Sequence, residues 1–150
     1  MTNLMDSLLA SFFQSVSFDH GQKPQYARLY DLFIPNGLLI KNSMATPEVT
    51  TVRQFIEPRE QLVSSGQLTA FKEIELAAIT EGFGNVAHRW STYEKSGTQN
   101  GAAFTLRGMI STQCILTPLG WRISAMAWDD ERAGLTIPAR YVPGGRAVAP

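Results

Sequence analysis

Residues 83–97 bring a histidine, an arginine, a tryptophan and a tyrosine close together, in the sequence FGNVAHRWSTYEKSG. A histidine beside a carboxylate can act as an acid or base near neutral pH. The side chains that could accompany His88 are Tyr30, Asp31, Glu73 and Glu75. Such a set suits proton abstraction, dehydration or isomerisation of a small, largely apolar molecule. The candidate catalytic residues are therefore His88, Asp31, Tyr30 and Glu73.

The direction in which His88 points decides whether this chemistry is available. Successive side chains of a strand face opposite sides, so His88 and Trp90 share one face and Arg89 and Tyr93 the other. The face with His88 and Trp90 carries more apolar bulk, and a half-buried sheet turns its more apolar side inward. We therefore expect His88 and Trp90 to face the interior and Arg89 to face outward. A β-bulge would reverse this assignment beyond it.

Less active roles for these residues remain open. A lone inward histidine is more often a hydrogen-bonded core residue than a catalyst, and Trp90 and Tyr30 could be core aromatics. Glu73 and Glu75 could equally face solvent. The acidic pair Asp129–Asp130 has no histidine beside it, so a solvated strand end is a better interpretation than a metal site.

Composition excludes several function classes. The chain has 150 residues, of which 44% are hydrophobic and 17% charged, and its net charge is zero. This is typical of one folded domain without the positive field that nucleic-acid binding requires. No apolar run is long enough to span a membrane. Cys114 is the only cysteine, so no internal disulfide forms, and we expect a cytoplasmic protein.

Three helical segments precede the strands. Leu4, Leu8, Phe12 and Val16 recur every fourth position and predict a first helix with one apolar face. A short second helix is expected between Pro24 and Pro35, followed by a brief strand over residues 38–40. A capping box formed by Thr51 and Gln54 begins a third helix, and Pro58 either kinks it or lies in its first turn.

The second half of the chain predicts a meander of long strands. Residues 86–94, 104–116 and 121–128 alternate in polarity and are separated by turn residues. Residues 68–82 are ambiguous, because their spacing fits either a helix or a strand and their composition favours a helix. Residues 132–150 contain prolines and a Gly-Gly pair and predict a mobile or loosely docked tail. The residues expected to be buried are Leu8, Phe12, Leu29, Phe33, Phe55, Leu62, Trp121 and Ile123.

The order helix, short helix, short strand, helix, curved sheet resembles the nuclear transport factor 2-like superfamily, which includes SnoaL-like and ketosteroid-isomerase-like proteins. Two segments carry the resemblance, YARLYDLFIPNGLLI and the final hairpin with its Gly-Trp-Arg-Ile sequence. The resemblance covers residues 1–131. It implies an α+β fold in which a cone-shaped antiparallel sheet wraps around about three helices, and it makes residues 68–82 a strand.

The resemblance also implies a pocket on the concave side of the sheet. Members of this superfamily use such a pocket either for acid–base catalysis without a cofactor or only to bind a ligand or protein, so fold alone does not decide the activity. The ligand expected here is a small hydrophobic ring compound, held by Trp90, Phe12, Glu75 and His20. The alternative is a non-catalytic binding or association module. We also expect a homodimer formed through the convex sheet face, with Arg107, Met109, Met126 and Trp128.

Overall fold

The computed structural model describes residues 2–143, and six strands in it form one curved sheet. The elements are α1 (Thr2–Val16), a 3-10 helix (Tyr26–Asp31), β1 (Phe33–Lys41), β2 (Glu48–Thr51), α2 (Val52–Ser64), β3 (Leu68–Phe83), β4 (Val86–Gln99), β5 (Ala102–Thr117), β6 (Gly120–Asp130) and a second 3-10 helix (Ala139–Tyr141). The strand order is β2-β1-β6-β5-β4-β3. Neighbouring strands are antiparallel except β1 and β6, which are parallel. The predicted fold class is confirmed.

Helix α1 lies on the sheet through one apolar face. Met5, Leu9, Phe12 and Val16 are buried on this face and belong to the hydrophobic core. Leu4 is 56% exposed, so the apolar stripe begins at Met5 and not at Leu4 as predicted. Burying such a stripe stabilises the helix more than its intrinsic propensity does.

Helix α2 begins at the capping box that the sequence predicts. The Gln54 amide N–H donates to the Thr51 hydroxyl at 3.2 Å, and the Thr51 amide N–H donates to the Gln54 side chain at 3.0 Å. The helix continues through Pro58 to Ser64, so it does not begin late at the proline. The second predicted helix is a single 3-10 segment, and Phe33 beyond it belongs to strand β1.

The ambiguous segment 68–82 is the edge strand β3. It pairs with β4 from Leu68↔Gln99 to Phe83↔Val86, and these cross-strand hydrogen bonds override its helical composition. The pairing shifts between Glu75 and Ala77, which is the sign of a bulge at this point. Side-chain alternation therefore reverses within β3.

A second irregularity in β6 changes the surface that the sequence assigned to a dimer. The pairing between β5 and β6 shifts at Gln113 and Cys114, and beyond this point Met126 and Trp128 turn toward the concave side. Met126 is fully buried, and Trp128 meets the Phe55 ring edge to face at 6.0 Å. Their predicted place on the convex face is wrong, because the bulge inverts the alternation assumed from Trp121 onward.

Most of the predicted core is buried. Leu8, Phe12, Leu29, Phe33, Phe55 and Ile123 are less than 9% exposed, whereas Leu62 and Trp121 are only partly buried. The described part of the C-terminal segment is docked. Ile137 is buried, and the Thr92 hydroxyl donates to the Tyr141 carbonyl at 2.5 Å. The rest of the predicted tail, residues 144–150, lies outside the described residues.

Within residues 2–143, the helices are all too short or too polar to cross a membrane.

Candidate functional site

A cavity of about 620 Å³ lies between the helices and the concave face of the sheet. Six aromatic residues form much of its wall, namely Phe12, Tyr26, Phe55, Phe71, Phe104 and Trp128. The charged groups that line it include Arg59, Glu73, Lys95 and Asp130. A mostly apolar pocket with a few converging polar groups is the usual form of a small-molecule site.

Glu73 is the acidic group of this cavity with the most altered acidity. Its pKa is raised from 4.5 to about 7, mainly because burial disfavours the charged form; the positive charges of Lys95 and Arg59 oppose this rise, and the negative charge of Asp130 adds to it. Its backbone N–H donates to the Ser17 hydroxyl at 3.0 Å, and its carboxyl group makes no hydrogen bond within residues 2–143. Such a carboxyl group is poised to exchange a proton near neutral pH.

Lys95 lies directly opposite Glu73 on the neighbouring strand. Its ammonium group binds the Asp130 carboxylate, with an Nζ to Oδ1 distance of 2.9 Å. Both side chains are about 85% buried, since their exposed fractions are 14% and 15%. The cavity therefore contains a fixed cation whose position is held by an anion.

Tyr93 also binds the Asp130 carboxylate that holds Lys95. Its hydroxyl donates a very short hydrogen bond to Asp130 and lies 3.0 Å from the Asp129 carbonyl oxygen. Burial, followed by the bond to Asp130, raises the pKa of Tyr93, so it stays protonated. Gly108 makes room for it, because a Cβ atom there would overlap the Tyr93 hydroxyl and the Asp129 carbonyl oxygen.

A second opening of about 510 Å³ lies between α1 and β3. Arg89 borders it with a side chain only 6% exposed, which donates to both carboxylate oxygens of Glu75, at 3.0 and 2.5 Å. The same guanidinium donates to Asp6 and to Thr80, each at 2.8 Å. Through these contacts Arg89 joins helix α1 to the sheet. The expectation that Arg89 faces outward is wrong.

His88 and Trp90 lie on the convex face, contrary to the prediction. His88 contacts Glu81 at 2.9 Å, with a side chain 60% exposed. Trp90 packs edge to face against the Tyr141 ring at 6.1 Å. The prediction failed because it compared only the amount of apolar side chain on the two faces of β4. The inward side of β4 is polar at Arg89, whose charge is compensated by residues distant in sequence.

The other predicted site residues divide between the cavity and the surface. Phe12 lies in the cavity wall together with Glu73. Glu75 faces inward, but it binds Arg89 and Ser91 outside that cavity. Tyr30, Asp31 and His20 are exposed and do not line it. Within the described residues, the cavity therefore brings together two of the eight predicted site residues.

Sequence reasoning missed the residues that accompany Glu73. Lys95 has a local signal, because strict alternation from Arg89 through Tyr93 places it on the same face of β4. No local sequence pattern indicates that Asp130 faces the cavity, because it is the bulge in β6 that turns this residue inward. Arg59 follows Phe55 by one helical turn, which is a detectable spacing on α2.

Comparison with known proteins supports the fold and goes no further. The sequence matches no protein-family model and no curated protein. A nuclear transport factor 2-like superfamily protein from Salmonella enterica superposes with a TM-score of 0.71 at 16% identity, covering 87% of this chain and 90% of that chain. An NTF2-like protein from Cytophaga hutchinsonii gives 0.68 at 13% identity, covering 87% of this chain and 98% of that one.

A third solved structure agrees with these two. It is an uncharacterized protein with a cystatin-like fold from Caulobacter vibrioides, with a TM-score of 0.67 at 12% identity over 89% of this chain and 91% of that chain. Identities this low identify a fold and leave the activity open. The chain therefore has the cystatin-like fold seen in these nuclear transport factor 2-like structures, which is the fold expected from its sequence.

Proposed function

We propose that the cavity binds a small, largely apolar ring compound and that Glu73 transfers a proton to or from it. One observation carries this proposal: in the wall of an aromatic cavity lies a carboxyl group with a pKa of about 7 that has no hydrogen-bonding partner among residues 2–143. A general base works best when its pKa is close to the working pH. Neither His88 nor Asp31 nor Tyr30 is needed for this chemistry.

The chemistry that fits best is isomerisation or elimination without a cofactor. The Glu73 carboxylate removes a proton from a carbon next to an electron-withdrawing group, and the bonding pair moves onto that group. The Lys95 ammonium, held by Asp130, stabilises the negative charge that develops. The proton then returns to another carbon of the substrate, or it is given to a leaving group. Proton and electrons balance within the substrate and Glu73.

Deuterium exchange tests the proton transfer. The probe is 1-tetralone, a bicyclic ketone of a size that suits the cavity, and the readout is loss of its α-proton signal in D₂O by NMR. We expect the protein to accelerate exchange, with a rate that rises with pH through about 7 as Glu73 loses its proton. Glu73→Gln should lower that rate by about 100-fold or more, the usual contribution of a general base.

The matched control is Glu57→Gln, because Glu57 is a glutamate on the exposed side of α2 that pairs with Arg53. It should leave the exchange rate unchanged. Binding of 1-tetralone without accelerated exchange would contradict the catalytic proposal and favour the alternative, a non-catalytic ligand-binding protein. Equal exchange rates in the native protein and in Glu73→Gln would also contradict it.

We also propose that the convex sheet face forms a homodimer. Ile79, Phe83, Val86 and Trp90 are exposed at 49%, 87%, 49% and 36%, and they belong to the paired strands β3 and β4. They flank the exposed Glu81–His88 pair on one face of the sheet, and exposed apolar side chains beside polar ones often mark an interface. This surface differs from the predicted one, because Met126 and Trp128 lie on the concave side of the sheet and cannot belong to it.

Light scattering at micromolar concentration tests the dimer. The native protein should have twice the mass of the chain, and Ile79→Glu should have the mass of one chain, because a charge buried in an apolar interface is costly. The control is Leu4→Glu, at an exposed leucine of α1, which should remain dimeric. A monomeric native protein would contradict the proposal.

The cytoplasm stays our proposal for localisation, and the support is that the single cysteine, Cys114, is free and buried.

A further inference from the structure

Arg59 is a cation of the cavity wall, and no carboxylate in the described part of the chain forms a salt bridge with it. Its Nη1 donates to the Phe55 carbonyl at 2.9 Å, and its guanidinium lies over the Phe55 ring, 3.6 Å from the centroid. It forms no ion pair within residues 2–143, although Glu48 and Glu73 act on it from a distance, and burial lowers its pKa. Most of its N–H donors therefore remain available to a bound molecule.

Tyr26 presents a second unused donor to the same cavity. The residue is 5% exposed and belongs to the cavity wall, yet its hydroxyl makes no hydrogen bond within the described part of the chain. Its pKa is raised to about 12, mainly by burial, although the nearby positive charge of Arg59 opposes the rise. Tyr26 therefore keeps its proton near neutral pH and can donate it to an acceptor.

The other cations of the cavity are less suited than Arg59 to bind a carboxylate of a ligand. Lys95 is bound to Asp130, with an Nζ to Oδ1 distance of 2.9 Å. Lys41 lies opposite Glu48 on the paired strands β1 and β2, and its ammonium group lacks the planar fork with which a guanidinium binds both oxygens of a carboxylate. Arg59 is thus the cavity cation best placed to accept the charge of a ligand.

We propose that Arg59 and Tyr26 bind a carboxylate group of the ligand, whose ring lies among the aromatic side chains of the cavity. A planar guanidinium binds a carboxylate through two parallel hydrogen bonds, and stacking on Phe55 fixes the plane of that fork. The inference rests on the proposed function and narrows its substrate class to ring compounds with an acid group. Arg59 and Tyr26 are binding residues here, and Glu73 remains the group that moves the proton.

Binding of two probes with nearly the same shape tests this. Naphthalene-2-carboxylate and naphthalene-2-carboxamide differ in charge, and their dissociation constants are measured by calorimetry at pH 8. The native protein should bind the carboxylate about tenfold more tightly or better, the usual effect of charge-assisted hydrogen bonds. Arg59→Gln should reduce that preference to about twofold or less, and Tyr26→Phe should reduce it several-fold.

The control on the same helix is Arg53→Gln, because Arg53 is exposed and pairs with Glu57. It should keep the full preference. Thermal unfolding of each variant checks that it is folded, and Tyr26→Phe provides the test if Arg59→Gln does not fold. The proposal is overturned if the native protein binds the two probes equally or binds neither. A preference for the carboxylate that survives in Arg59→Gln also overturns it.

Repeating the measurement with Glu73→Gln separates this proposal from the proposed reaction. That variant keeps Arg59 and Tyr26, so it should retain the preference for the carboxylate even if no proton transfer is found. If the native protein does not accelerate deuterium exchange and the preference for the carboxylate is retained, only the reaction is refuted. Normal exchange without any preference refutes only the carboxylate site.

Discussion

Replacing Glu73 by glutamine should stabilise the protein at alkaline pH. The folded protein holds this carboxyl group at a pKa of about 7, whereas a fully solvated glutamate has a pKa of 4.5. Because the pKa is raised, ionisation costs more in the folded state than in the unfolded chain. The contribution of Glu73 to stability should therefore be most favourable below pH 4.5, should fall as the pH rises to about 7, and should stay low above it. Glutamine removes this loss.

The size of the effect follows from the shift. At 1.36 kcal/mol for each pKa unit, a rise from 4.5 to about 7 corresponds to up to about 3 kcal/mol. The neighbouring charges of Lys95, Asp130 and Arg59 contribute to that pKa, and all of them remain in the variant. Their own titration therefore largely cancels when the variant and the wild type are compared.

Urea unfolding followed by tryptophan fluorescence, at fixed protein concentration, measures the difference between pH 4 and pH 9. Glu73→Gln should exceed the wild type by up to about 3 kcal/mol above pH 7, and the difference should shrink toward pH 4. Glu57→Gln, at the exposed glutamate of α2, should show no such pH dependence. A difference that does not change with pH, or one that grows toward acid, would refute the reasoning that Glu73 is held in a poorly solvated site.

Three further substitutions test other parts of the structure. Arg89→Met should lower the free energy of unfolding by about 3–5 kcal/mol, because it leaves the largely buried carboxylate of Glu75 without its cation, whereas the exposed Arg107→Met should cost about 0–1 kcal/mol; equal losses in urea unfolding would contradict this. His88→Ala should change stability by less than about 0.5 kcal/mol and leave probe binding intact, and lost binding would place His88 in the site after all. Gly108→Ala should cost about 1–3 kcal/mol, since its methyl group overlaps the Tyr93 hydroxyl; an unchanged melting temperature would refute that contact.

Local patterns were enough to predict most of the elements. The apolar repeat from Leu8 to Val16, the capping box at Thr51 and the turn residues between the late strands act over a few positions, so they can be detected without tertiary context. They did not predict strand β2 (Glu48–Thr51) or the start of β1 at Phe33, and they left residues 68–82 ambiguous. Their composition favours a helix, and they form a strand because pairing with β4 satisfies their backbone. The family resemblance supplied what local reasoning did not.

The direction of each strand face depended on long-range contacts. Arg89 is buried because Glu75 and Asp6 meet it there, and Asp6 is 83 positions away in the sequence. The larger apolar side chains lie on the convex face of β4, so comparing the two faces gave the wrong orientation. The concave face can be buried because the charge of Arg89 is compensated there by carboxylates. The sequence shows each charge but does not show its partner.

The candidate site itself depended on both kinds of information. Glu73 was named from the sequence as one of the carboxylates that could accompany His88. Its altered acidity arises only when the sheet curves around the helices and removes it from water. Asp130 joined it because a single bulge in β6 inverts the alternation of the last strand. The sequence by itself therefore determined the order of elements and their apolar stripes, whereas strand pairing and bulges decided which side chains share the cavity, since a shift of one residue moves every later side chain to the other face.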